Sequence, residues 1–213
     1  MNTVNRSELQ EKYGDEQVMI VLRDHVEALN LPEGFSIPVR DIRPILSDLG
    51  VFADRWRVEY NPPTRQPIPY IVVRTGDKFF ATTRLDGSGE SRLHGKMSLG
   101  VGGHINPEDK GSYGNRDAFF NAMIRELHEE LKVNSSIESW GYVGVINDNS
   151  NPVSQDHLAL VYLVDVAGEN ISVKEVDKLE GGFYTVQELL DHHERLESWS
   201  QIVLEMIIRG YIK

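Results

Sequence analysis

The sequence predicts an α/β fold: a sandwich of helices about a mixed β-sheet, preceded by a helical segment over residues 1–54. Three observations carry this expectation. β-Branched and aromatic runs at 68–74 and 78–84 flank Thr75-Gly76-Asp77, the pattern of a hairpin. Phe120, Met123, Ile124, Leu127 and Leu131 recur at helical spacing. Strand-like and helical runs then alternate to the C-terminus.

In chain order, residues 16–29 read as the first helix, with Val18, Ile20, Val21, Leu22, Val26 and Leu29 apolar. A second covers 39–49, stopped by Gly50, although Pro44 is a poor interior residue. Residues 55–60 alternate like a strand and run into the turn Asn61-Pro62-Pro63. After the hairpin come the loop Asp86-Gly87-Ser88-Gly89, a short strand at 97–101, and the helix that carries the apolar stripe. Strands at 139–147 and 157–166 flank a polar loop, a short strand covers 182–186, and helices at 186–193 and 198–209 close the chain.

The chain has 213 residues, enough to bury a sizeable core in one ordinary domain. It has no cysteine, which removes disulfides, thiolate metal sites and cysteine nucleophiles together. No apolar stretch approaches the ~20 residues needed to span a bilayer, and the N-terminus lacks a secretory signal, so a cytoplasmic location and no membrane partner are expected. The net charge of −11 disfavours nucleic-acid backbones as partners and favours divalent cations.

The chemistry concentrates in Arg125-Glu126-Leu127-His128-Glu129-Glu130. Residues three and four apart on a helix are neighbours, so Glu126, Glu129 and Glu130 converge on one patch. Carboxylates so close raise one another's pKa unless a cation sits among them, and Mg²⁺ takes oxygen ligands of this kind. Read alone, such a run is more often a solvated helix face. On a helical wheel the apolar stripe falls beside the acids rather than under them.

The upstream context sharpens the reading. Gly102-Gly103-His104 precedes the run, and the whole resembles the box of the Nudix hydrolase family: Gly, five residues, Glu, seven residues, then Arg-Glu-apolar-x-Glu-Glu-x-Gly-apolar. Gly103 matches the leading glycine, Arg125, Glu126, Glu129 and Glu130 the core, and Val133 the last apolar position. The middle departs from the pattern. Counting from Gly103, the first acid is Asp109; counting back from Arg125, it is Asp117; the halves are eight residues out of register, with the inserted loop at 110–116. Asp117 either opens the helix as a cap or serves the site. Lys132 stands where the family has glycine, at a cost of roughly 1 kcal/mol if the residue is left-handed, unless the helix runs on to Asn134.

The resemblance implies a Nudix-type α/β/α sandwich over residues 55–213, with residues 1–54 as an extension serving as cap, dimerisation arm or lid. It implies Glu129 and Glu130 as metal ligands, Glu126 as third ligand or base, Arg125 as the residue that orients a box glutamate, and a backbone carbonyl from Gly102 or Gly103. The metal would be Mg²⁺, with Mn²⁺ the other choice. Arg84, Lys96 and Arg92 are the cations it would place near the phosphates, with Asp109 a further weak candidate at the substrate. Asp156, Glu175, Asp177 and Glu180 are candidates for a late-loop acid. His104 reads as a loop residue, His157 as a structural imidazole, and His192-His193 as solvated. Lack of cysteine argues against the superfamily's isopentenyl-diphosphate isomerases. The expected activity is metal-dependent hydrolysis of the diphosphate in a nucleoside diphosphate linked to another moiety, with a second copy of the chain, as a homodimer, among the partners the resemblance allows. The alternatives are a weakly catalytic module that senses a nucleotide or nucleotide sugar, and an assembly protein in which the acids are surface charge.

Overall fold

The computed structural model describes residues 5–85, 95–111 and 114–212. The expected loop at 86–89 and Arg92 lie outside them. Two compact units make up the chain. The first comprises Met1–Pro69, Gly103–Ala122 and Val145–Leu160; the second comprises Tyr70–Gly102, Met123–Gly144 and Val161–Lys213.

In the first unit, α1 (Arg6–Tyr13) is followed by β1 (Gln17–Leu22), not by the expected helix over 16–29. Val18, Met19, Ile20 and Val21 are all buried, which leaves no polar face for a helix to turn to water. β1 instead pairs antiparallel with β3 (Val51–Asp54), Ile20 opposite Val51, and then with the start of β4 (Thr64–Thr75), Val21 opposite Arg65. A short α2 (Arg23–Glu27) follows β1. The three-residue β2 (Gly34–Ser36) pairs with the end of β9 (Ile137–Asn147).

The second expected helix exists but is shorter. α3 (Arg43–Leu49) starts with Pro44 in its first turn, where a missing N–H costs nothing, and stops at Gly50. The strand expected at 55–60 is a helical turn, α4 (Arg55–Val58). That turn drops Val58 onto Val18 and Ile20, a contact that an alternating strand would not make. The described residues up to Asp54 thus hold three strands as well as three helices, and the helical reading of residues 1–54 is corrected.

In the second unit the hairpin forms as expected. The end of β4 pairs with β5 (Lys78–Arg84) across a turn in which Gly76 has φ +56°. The expected strand at 97–101 is split: β6 (Met97–Ser98) pairs with β5 and β7 (Gly100–Val101) with β4. Gly100 is required there, because a Cβ would lie 2.4 Å from the Tyr70 ring. The Tyr70 hydroxyl in turn shares a hydrogen bond of 2.9 Å with Ser200 Oγ.

α5 (Asn115–Glu130) is the box helix. Its buried face carries Ala118, Phe119, Ala122, Met123, Glu126 and Leu127, whereas Phe120 is 37% exposed. The face is rotated from the predicted stripe toward the acids, so Glu126 lies within it rather than beside it. The helix does not run on to Asn134. It passes into β8 (Leu131–Val133), which pairs antiparallel with β11 (Ile171–Val173). Lys132 is therefore extended; among the described residues only Asn30 and Tyr60 are non-glycines with positive φ.

The expected polar loop forms over residues 148–151, α6 (Pro152–Asp156) follows it, capped by Asn151, and β10 (His157–Val166) has the predicted bounds. β12 (Leu179–Thr185) pairs with β5 over its whole length. α7 (Val186–Asp191), with a Thr185–Glu188 capping box, and α8 (Ser198–Ile208) end the chain. The main sheet runs β12-β5-β4-β10-β9-β2, a mixed α/β architecture as the sequence predicts. Among the described residues no helix is long and apolar enough to cross a membrane.

Candidate active site

The last two turns of α5 carry the acid patch. Glu126 is 7% exposed, and burial pushes its carboxyl up to about 7, with smaller contributions from Glu129 and Glu130. Arg125 opposes this. One of its Nη1 hydrogen bonds reaches Glu126 Oε1 at 2.7 Å and another reaches Glu129 Oε2 at 2.9 Å. A single guanidinium thus pins two acids, and charge-assisted bonds of this kind are about twice as strong as neutral ones. Glu129 keeps an exposed carboxylate and Glu130 is half-buried.

β8 places the next acid. Its pairing with β11 sets Val173 opposite Leu131, and the Lys174 N–H then donates to the Glu130 carbonyl at 3.0 Å. The Lys174 ammonium donates to the carbonyl of His128. This brings Glu175 into electrostatic reach of Glu130, whose carboxyl is raised first by burial and next by Glu175. The late-loop candidates therefore separate. Glu175 joins the patch, paired with Lys178 at 2.8 Å, whereas Asp156 sits in the first unit and accepts from the Tyr60 N–H at 2.7 Å.

Arg84 also faces Glu130, lowering its pKa, while its Nε lies 3.7 Å from Glu197. The Lys96 ammonium donates to the Glu194 carbonyl at 3.1 Å and acts on Glu197. Asp109 is 3% exposed, and its carboxylate accepts from the Asn106 N–H at 2.7 Å, which occupies it in capping a short turn of the first unit. Asp117 lies in the first turn of α5, its N–H bonded to the Gly114 carbonyl at 3.3 Å. Gly103 opens the first unit's loop without a positive φ, one residue before His104.

The fold also joins two histidines that their separation in sequence kept apart. His104 Nε2 and His157 Nε2 lie 3.3 Å apart, and burial holds the His157 imidazole below its ordinary pKa. His192 and His193 lie at the end of α7, with His192 edge-on to Tyr184.

Two relatives give this geometry a lineage. The curated Bacillus subtilis (strain 168) protein YmaB is 34% identical over 203 residues, covering 91% of this chain and 98% of its own. The crystal structure of Tm1382, whose assignment as a Nudix hydrolase is itself provisional, is 29% identical, with a TM-score of 0.78 over 92% of this chain and 99% of that one. The chain belongs to the Nudix hydrolase family. The Nudix domain of Shewanella oneidensis NrtR, crystallised with ADP ribose, shares the fold alone: 13% identity and a TM-score of 0.52 over 68% of this chain and 88% of that one. No protein-family model matches the chain.

Proposed function

We propose that this Nudix protein is a metal-dependent pyrophosphohydrolase that cleaves the phosphoanhydride of a nucleoside diphosphate linked to another moiety. The observation that carries the reading is Glu126: a carboxylate on the buried face of α5, pinned by Arg125, with Glu129 and Glu130 around it and Glu175 beside Glu130. A merely solvated charged face has no reason to bury one of its acids.

The donor set fits a hard divalent cation, since it is all oxygen and the buried Glu126 and Glu130 carboxyls are raised in the cation's absence. Mg²⁺ is the expected ion and Mn²⁺ the alternative, held by Glu129 and Glu130 with Glu126 as third ligand or base. Such an ion supplies charge to the phosphate oxygens and acidifies water. The chain's own work is the rest. Arg125 holds the Glu126 and Glu129 carboxylates in place. Glu126, buried and held by Arg125, is suited to take a proton from the attacking water. Arg84 offers a guanidinium beside Glu130 for the substrate's phosphate.

The test is the appearance of nucleoside monophosphate from a panel of such diphosphates, ADP ribose among them, with Mg²⁺ and with chelator. Release that requires the metal and collapses in Glu129→Gln supports the proposal. Tight binding of one compound with no product from any would favour the sensing alternative.

A further inference from the structure

We propose that Glu59, His104 and His157 form a second metal site, of zinc type, inside the first unit. Their ligand atoms all lie within 4.8 Å of one another, and none belongs to the box helix. The three come from the end of α4, the loop after β7 and the first residue of β10, so the site exists only in the folded chain.

The local geometry is what a ligand set requires. His157 Nδ1 donates to the Val153 carbonyl at 2.6 Å, which fixes the proton on that nitrogen and turns the Nε2 lone pair toward His104. A backbone carbonyl behind the imidazole is the usual way that a metal-binding histidine is held. The facing Nε2 atoms are 3.3 Å apart. Two zinc–nitrogen bonds of about 2.05 Å at a tetrahedral angle place their nitrogens about 3.3 Å apart.

Glu59 supplies the third donor. The residue is 6% exposed, and its Oε2 is buried without a hydrogen-bond partner among the described residues. The nearest cation does not satisfy it. Arg55 Nε stays 3.6 Å away, while the same guanidinium binds both Glu16 oxygens at 3.1 Å and lies 4.2 Å over the Tyr13 ring. A buried carboxylate oxygen left in this state is costly unless a cation completes it.

Two imidazoles and one carboxylate suit Zn²⁺, with Co²⁺, Ni²⁺ and Cu²⁺ as competitors, and do not suit Mg²⁺. Three protein ligands leave one tetrahedral position for water or an anion. The site thus differs in ligand chemistry from the carboxylate patch, and its test stands apart from that of the proposed hydrolysis.

Full-length protein freed of metal with EDTA is titrated with Co²⁺ and followed in the visible, where a tetrahedral ion absorbs far more strongly than an octahedral one. One Co²⁺ per chain should bind with the tetrahedral bands, Zn²⁺ should displace it, and Zn²⁺ should raise the melting temperature because it binds the folded state. His104→Gln and Glu59→Gln should weaken Co²⁺ by more than about 100-fold, beyond the loss of an outer hydrogen-bond partner, and abolish the Zn²⁺-dependent rise. Glu129→Gln should keep both. His157 is the most enclosed imidazole, so if His157→Gln does not fold, the half-buried His104 and the isosteric Glu59→Gln decide the matter. Wild-type protein without tetrahedral bands, bands that survive His104→Gln, or bands lost in Glu129→Gln would each overturn the site and leave a hydrogen-bonded histidine pair.

Discussion

The two clusters of this protein solve the problem of buried charge in opposite ways. At the end of α5 several carboxylates crowd together, and the fold supplies a cation of its own: Arg125 bridges Glu126 and Glu129. Around Glu59 a single carboxylate meets two imidazoles, and the nearest guanidinium is committed to Glu16 and Tyr13. The first cluster is anionic and rich in oxygen, and so suits a hard ion beside phosphate. The second holds a single carboxylate and is rich in nitrogen, and so suits a softer one. One chain can therefore sort two metals by donor type alone.

The sharpest way to break this contrast is Glu126→Gln. If Glu126 serves as base or ligand, kcat for monophosphate release should fall by about 10²–10⁴-fold, the usual range for losing a general base. A fall of less than threefold would make the buried acid merely structural.

The next effect is read without substrate. The Glu126 carboxyl rises from an ordinary 4.5 to about 7 on folding, so between those pH values the folded state holds a proton that the unfolded state has lost. Stability is then highest below pH 4.5 as far as this group is concerned, and is lost as pH rises through 7, by roughly 3 kcal/mol. Glu130 shifts in the same direction. His157, lowered by burial, contributes with the opposite sign. Urea unfolding of metal-free protein across this window should therefore show a decline that Glu126→Gln reduces and that Mg²⁺ offsets most above pH 7. A slope identical in wild type and Glu126→Gln would remove the burial argument.

Arg125→Ala should cost less, about 10- to 100-fold in kcat, from hydrogen bonds to charged groups worth about 1.5–3 kcal/mol. Arg125→Lys should recover little, because the shorter lysine side chain does not bring its ammonium to the place of Nη1, the one nitrogen that makes both bonds. Full activity in Arg125→Lys would mean that charge alone is enough there.

The smallest effect concerns Lys132. Because this residue is extended and pairs with Ser172, Lys132→Gly should destabilise by about 0.5–1 kcal/mol in urea rather than relieve strain. A gain in stability would restore the left-handed turn that the family pattern suggests.

Local pattern was a good guide wherever one element's own residues decide its state. The hairpin at Gly76, the bounds of β5 and β10, and the helix around Glu126 to Glu130 all follow from short-range spacing and turn chemistry. It failed where neighbours decide. Val18 to Val21 suits a buried helix or a buried strand equally, and only β3 and β4 on either side make it β1. Phe119 rather than Phe120 enters the core for the same reason: a small rotation of α5 is set by what it packs on.

The acids of α5 were legible because residues three or four apart are neighbours on any helix, whatever surrounds it. Their depth was not, for burial is a property of the partners, and it is burial that makes Glu126 differ from Glu129. Glu175 reaches Glu130 only through the β8–β11 ribbon. His104 and His157 stand 53 residues apart, and no periodicity links them. What the amino-acid order determined by itself was the family, the helix and its charge. Which carboxylate is buried, which late acid joins it and which imidazoles meet were decided by long-range packing, because proximity across the chain is created by the fold and is encoded in no single window of it.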